Sequence, residues 1–226
     1  MDVTTEFRGD VAVITMDDGK KNAIDAHAIA DLNAALDEAE SAAKAVVLAG
    51  RLGSFCAGFD LSIMTSGDAD AVRTVAKGGG EFAVRLWSFP KPLVAACTGH
   101  AFTIGAIWLC ACDTRIGDRG PFKIGMTETK MGMTLTPWAL EPLSHRLSKQ
   151  YWIPSIVQAR VYDPDGALEA GFLDEVVADG EATERALAVA TELAELPGAA
   201  YATNKLMTRK ASIAIARADI AKLSAA

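Results

Sequence analysis

Two short runs in this chain, Ala45–Ala49 (AVVLA) and Leu93–Cys97 (LVAAC), contain no charged or strongly polar side chain. A strand with one solvated face alternates polar and apolar residues, so a run without that alternation predicts a strand covered on both faces. Each run leads into a segment rich in small residues: Ser54–Leu61 (SFCAGFDL) and Thr98–Ala106 (TGHAFTIGA). Each of these segments reads as a strand that ends in a tight turn and enters a helix. The first N–H groups of a helix have no internal partner, so such a turn points backbone donors at a ligand. Two donors converging on one oxygen form an oxyanion hole. Glu128 is the candidate for the proton chemistry that an oxyanion requires.

The rest of the chain reads as α/β layers followed by a helical C-terminal part. Val11–Met16 predicts a strand, 17–22 a turn, and Asp25–Ala43 an amphipathic helix with Ile29, Leu32 and Leu36 on one face. The polar, Gly-rich stretch Gly67–Gly80 predicts a mobile loop within a helical region, a substrate gate or a linker. Glu81–Trp87 is helical and stops before Pro90 and Pro92. The almost wholly apolar Gly105–Cys112 predicts a buried helix. Short strands are expected at 114–116 and 122–124, with a return strand at 172–177. Helices are expected at 137–147, 149–158, 165–170, 182–196 and 199–223.

With 226 residues, half of them apolar, there is material for one large core and a subunit interface. The net charge of −7 disfavours nucleic acid as the main partner. The apolar runs are too interrupted for a membrane span, and the acidic N-terminus lacks the pattern of a signal peptide, which points to the cytoplasm. Cys56, Cys97, Cys110 and Cys112 lie in apolar surroundings and complete no zinc pattern, so buried reduced thiols are expected and metal ligands are not.

Taken together, F-C-A-G-F-D-L at 55–61, K-P-L-V-A-A-C-T-G-H-A at 91–101, C-D-T-R-I-G at 112–117, I-G-M-T-E-T-K-M-G-M at 124–133 and A-L-E-A-G-F-L-D-E-V-V at 167–177 resemble the enoyl-CoA hydratase/isomerase (crotonase) superfamily. The resemblance covers nearly the whole chain. It implies a repeated ββα spiral core over 1–178 and a C-terminal helical region over 179–226 that builds homotrimers, often paired into hexamers. It also implies an acyl-CoA thioester as substrate, with coenzyme A part of that substrate and no separate cofactor or metal.

By the same resemblance, the oxyanion donors are the backbone N–H groups of Phe59 and Ile104. Relatives usually carry Gly at the position of Ile104. Ala57, Asp60 and Leu61 lie along the CoA path, with Asp60 also a helix cap. Ile107, Met126, Met131 and Met133 border the acyl pocket, and if these methionines wrap Glu128, desolvation raises its pKa. Hydratases of the family usually have a second glutamate where this chain has Ile107. The single glutamate resembles the mitochondrial-type 3-enoyl to 2-enoyl-CoA isomerases instead. Hydration of 2-enoyl-CoA and a non-catalytic CoA-thioester-binding role are the alternatives. Lys20, Lys21, Arg51 and Lys91 flank the site segments, and Lys205, Arg209 and Lys210 on the last helix are candidates to meet a neighbouring subunit's CoA. Asp113 reads as a structural turn residue. Of the histidines, only His100 lies close to the second oxyanion turn.

Overall fold

The computed structural model describes residues 1–223. Its backbone winds through successive ββα units. The first is β2 (Val11–Asp17), β3 (Ala23–Ile24) and α1 (Ala26–Ala42), preceded by the edge strand β1 (Asp2–Arg8). The second is β4 (Ala45–Ala49), β5 (Gly53–Cys56), β6 (Gly58–Phe59), the single turn α2 (Leu61–Met64) and the long α3 (Ala69–Ser88). The third is β7 (Leu93–Cys97), β8 (Gly99–Phe102) and α4 (Ile104–Ala111). Then come β9 (Thr114–Asp118), β10 (Ile124–Gly125), a 3₁₀ turn (Glu128–Met131), α5 (Pro137–Ser144), α6 (Lys149–Ile156), β11 (Val161–Tyr162), α7 (Pro164–Ala170), β12 (Glu175–Val177), α8 (Ala182–Ala194) and α9 (Gly198–Lys222). This is the crotonase-type α/β spiral with a helical C-terminal region.

First strands of the units gather in one sheet, in the order β1-β2-β4-β7-β9-β12, parallel except for the β1–β2 hairpin. Second strands form another sheet, β11-β10-β8-β5, and β3 pairs with β6. The all-apolar strands are buried on both faces, as their composition predicts. Val46, Leu48, Leu93, Ala95 and Cys97 face the main core beneath α1 and α3. Ala45, Val47, Ala49, Val94 and Ala96 face α8, whose small stripe Ala182, Ala186, Ala190 and Ala194 packs on the sheet. All four cysteine thiols are buried.

Gly67–Gly80 departs from expectation. Most of it is helix, because Asp68 caps α3 by accepting from the N–H groups of Asp70 and Ala71, both at 3.0 Å. The glycines serve contact, not flexibility. A Cβ on Gly79 would fall 2.6 Å from Cζ of Phe59, and one on Gly80 would fall 3.1 Å from the Trp138 ring. The carbonyl of Gly79 also accepts from Nε1 of Trp108 at 3.0 Å. Strand β1 lies in a segment for which the sequence predicts no element. No helix among the described residues is long and apolar enough to cross a membrane.

Candidate active site

The first site segment is fixed through β6. Ala57 N–H donates to Lys21 O at 3.0 Å and Asp60 N–H donates to Ile24 O at 2.9 Å, so both ends of the turn are tied to the chain around β3. Successive peptide groups of an extended strand point to opposite sides, which turns the Phe59 N–H away from β3. Phe59, Ala57 and Leu61 line a cavity of about 360 Å³. Asp60 is not on that wall. Its carboxylate accepts from Ser62 N–H at 2.8 Å and Ser62 Oγ at 2.7 Å, which caps α2 and holds its pKa below the usual carboxylate value.

The second segment begins α4. The first intrahelical bond runs from Ile107 N–H to Thr103 O at 3.0 Å, so the N–H groups of Ile104, Gly105 and Ala106 precede the helical ladder. The Ile104 side chain is buried and lines the cavity. The conformational oddity falls one residue earlier, at Thr103, with φ +50° and ψ −118°. Glycines draw the two segments together. A Cβ on Gly105 would lie 2.5 Å from Cys56 O, and one on Gly58 would lie 2.4 Å from Thr103 Oγ1. The two candidate donors therefore stand on backbones in direct contact.

Glu128 comes from the segment that follows the third unit, after β9 and β10. Strand β10 runs parallel to β8 and antiparallel to β11, and the chain then tightens into the 3₁₀ turn that carries Glu128. Glu128 is 8% exposed and lines the cavity, and its Oε2 has no hydrogen-bond partner among the described residues. Neither Lys123 nor Lys130 forms an ion pair with it. Desolvation raises its pKa and outweighs backbone hydrogen bonding near Thr127 and Glu128, which acts in the opposite direction.

Ile107, Met131 and Met133 also line the cavity, the two methionines partly exposed. Met126 does not. It is 1% exposed and packs into the main core, just before the turn that sends the chain to the cavity. Trp138 on α5, Met64 on α2 and Leu223 after α9 are also part of the wall. Nothing in their local pattern marks them in the sequence, because their places depend on how distant helices dock.

Several charged or titratable candidates are engaged elsewhere. Lys205 Nζ lies 2.7 Å from Asp113 Oδ2 and Arg209 lies 2.9 Å from Asp113 Oδ1, both cations largely buried within this chain. Both are thus engaged within this chain, while Lys210 is exposed. Lys91 donates to the carbonyls of Glu40 and Ala43 at the end of α1. Arg51 pairs with Asp17 and with Lys20 O. His100 accepts from Lys123 N–H at 3.0 Å through Nδ1 and stacks on Phe102, which is a structural role. Among the described residues no cluster of three or more His, Cys, Asp or Glu could hold a metal ion.

A ββα spiral that joins two backbone turns to a buried acid over an apolar cavity defines an enzyme of the crotonase superfamily. The chain belongs to the enoyl-CoA hydratase/isomerase family, whose model matches residues 6–222. A probable enoyl-CoA hydratase from Mycobacterium tuberculosis H37Rv superposes with a TM-score of 0.95 at 38% identity, covering 99% of this chain and 94% of that one. The human mitochondrial delta3-delta2-enoyl-CoA isomerase superposes with a TM-score of 0.89 at 25% identity, covering 98% and 92%. A probable enoyl-CoA hydratase from Rhizobium meliloti is 30% identical over 203 residues, 87% of this chain and 77% of the relative.

Proposed function

We propose that this protein moves the double bond of an enoyl-CoA from the 3 to the 2 position. The observation that carries the reading is that, among the described residues, Glu128 is the one carboxylate lining an apolar cavity, buried and with an oxygen lacking a hydrogen-bond partner, while the facing helix contributes Ile107 instead of a second acid. Glu128 takes a proton from C2, next to the thioester. The electrons shift into the thioester carbonyl, and the N–H groups of Phe59 and Ile104 stabilise the enolate oxygen. The same carboxylic acid then returns its proton to C4 while the double bond re-forms between C2 and C3. Atoms and charge balance, and one acid suffices if C2 and C4 present the same face to it.

Hydration of 2-enoyl-CoA is the second reading, favoured by the hydratase names of several relatives. Two acids hold and activate water more readily than one, and Ile107 offers no lone pair. The discriminating experiment follows the absorbance of the conjugated thioester with each substrate. Growth of the signal from a 3-enoyl-CoA, with the 2-enoyl-CoA stable, supports isomerisation. Decay of the 2-enoyl signal to a hydroxyacyl product overturns it. Glu128→Gln should lower the isomerisation rate by about 10²–10⁴-fold, the usual contribution of a positioned acid–base group, while acyl-CoA binding persists. Binding without turnover in the unsubstituted protein would instead mark a CoA-thioester binder.

The proposed homotrimer is supported by the family resemblance and by exposed Leu196, Leu206, Met207 and Ile215 on and just before α9. Light scattering on the purified protein tests it.

A further inference from the structure

Thr103 joins β8 to α4 with the dihedrals of the first central residue of a type II′ turn, a place that normally requires glycine. A β-branched residue with positive φ is an outlier, and outliers of this kind gather at functional sites. Asn22 also has positive φ, but its buried side-chain amide donates to Met16 O at 2.9 Å and to Ser54 O and Phe55 O, both at 3.1 Å. That web accounts for Asn22. Thr103 has no such web: its hydroxyl neither caps α4 nor bonds to any described residue.

The hydroxyl is nevertheless closely placed. Thr103 lines the same cavity as Phe59, Ile104 and Glu128. Its Oγ1 lies 2.4 Å from where a Cβ on Gly58 would stand, and Gly58 immediately precedes the Phe59 N–H. Thr103 itself immediately precedes the Ile104 N–H. An unspent hydroxyl donor therefore stands on the residue before one backbone donor and against the residue before the other, in the cavity both line. A glycine would satisfy the turn without strain but would supply no hydroxyl.

We propose that the Thr103 hydroxyl is a third hydrogen-bond donor to the thioester oxygen of the bound acyl-CoA, beside the N–H groups of Phe59 and Ile104. The hydroxyl keeps its proton throughout and stabilises the negative charge that grows on that oxygen. This rests on the oxyanion-hole assignment above but not on which enoyl reaction follows.

The test is the infrared stretch of a ¹³C-labelled thioester carbonyl in a saturated acyl-CoA bound to the protein. A saturated ligand has no double bond to move or hydrate, so the signal reads hydrogen bonding alone. Binding to the unsubstituted protein should shift the stretch to lower wavenumber. Thr103→Val keeps the branched shape and loses the hydroxyl. Thr103→Gly loses the hydroxyl and relieves the turn, so its folding is secure. Both should forfeit part of the shift and lower kcat about tenfold to a hundredfold with little change in KM, and Thr103→Ser should restore most of both. An unchanged stretch in the Val and Gly variants overturns the proposal, as does the absence of any shift in the unsubstituted protein. If the stretch behaves as expected but no 3-enoyl-CoA is isomerised, the isomerase reading fails and the third donor stands.

Discussion

A carboxyl buried without a cation holds its proton to higher pH than one in water, and Glu128 is such a group. In the proposed role of base it must be ionised in the free enzyme. The log of kcat/KM should therefore rise with pH and level off only above the ordinary carboxylate range, with the acid limb displaced upward. A limb at the ordinary value would mean that the cavity stays wet around Glu128. The same burial has a stability consequence. Between the unfolded and the raised folded pKa, the native state binds more protons, so stability falls as pH rises through that window. Glu128→Gln removes this penalty. Its melting temperature should exceed that of the unsubstituted protein at neutral pH, with the difference shrinking as pH falls below the unfolded pKa. Thr103→Gly should also stabilise, by about 1 kcal/mol, since relief of an unfavourable turn exceeds the entropy that glycine adds to the unfolded chain. Denaturant melts of the two variants check both statements.

The glycine run on α3 illustrates how an element is read wrongly from composition and correctly from packing. Locally, Gly78, Gly79 and Gly80 weaken a helix, and a loop is the reasonable expectation. The reason for them lies outside the element: the Phe59 ring presses on Gly79, while Trp138 and Ile220 press on Gly80. Those partners are distant in sequence, so no local pattern exposes them. The strands β4 and β7 were legible because burial on both faces leaves its mark in their own residues. Strand β1 was not, because its side chains are mostly exposed and an edge strand needs little apolar material. That Glu128 and the two turns would border one cavity was legible, whereas Met126 was expected there and instead joins the core. A direct consequence separates adjacent glycines. Gly79→Ala should cost about 1–3 kcal/mol by overpacking and should lower kcat by displacing Phe59, whose backbone N–H is a proposed oxyanion donor. Gly78→Ala meets only the Ile29 side chain, Cδ1 at 3.3 Å and Cγ2 at 3.6 Å, and should leave stability equal or slightly higher through better helix propensity. Equal losses in the two variants would mean that helix propensity, not the Phe59 contact, governs this stretch.

At the scale of the molecule, the C-terminal helix is held to the spiral by apolar contact and by one buried carboxylate. Ile213, Ala216 and Ile220 of α9 join the main core. Asp113, at the end of α4, accepts from Leu93 N–H and Tyr201 OH, each at 2.9 Å, and meets Lys205 and Arg209. The two cations in turn donate to Lys91 O and Trp87 O, so they also satisfy carbonyls at or near the end of α3. Read as sequence, Lys205 and Arg209 are ordinary basic residues on a polar helix. Their partner is 92 residues from Lys205, and only the folded chain shows that they face inward. Removing Asp113 strands two buried cations, and breaking such a pair from one side costs about 3–5 kcal/mol. Asp113→Asn should therefore lower the melting temperature markedly and loosen α9 first. Burial already lowers the Lys205 pKa, and loss of its counterion should lower it further. In the variant the unfolded state then binds more protons than the native state between the lowered folded pKa and the ordinary lysine value, so stability rises with pH there. The deficit of Asp113→Asn should thus narrow toward alkaline pH, and adding Lys205→Met should narrow it at lower pH, where Lys205 would otherwise be a stranded charge. A deficit that ignores both pH and the second substitution would assign the anchoring of α9 to its apolar face alone.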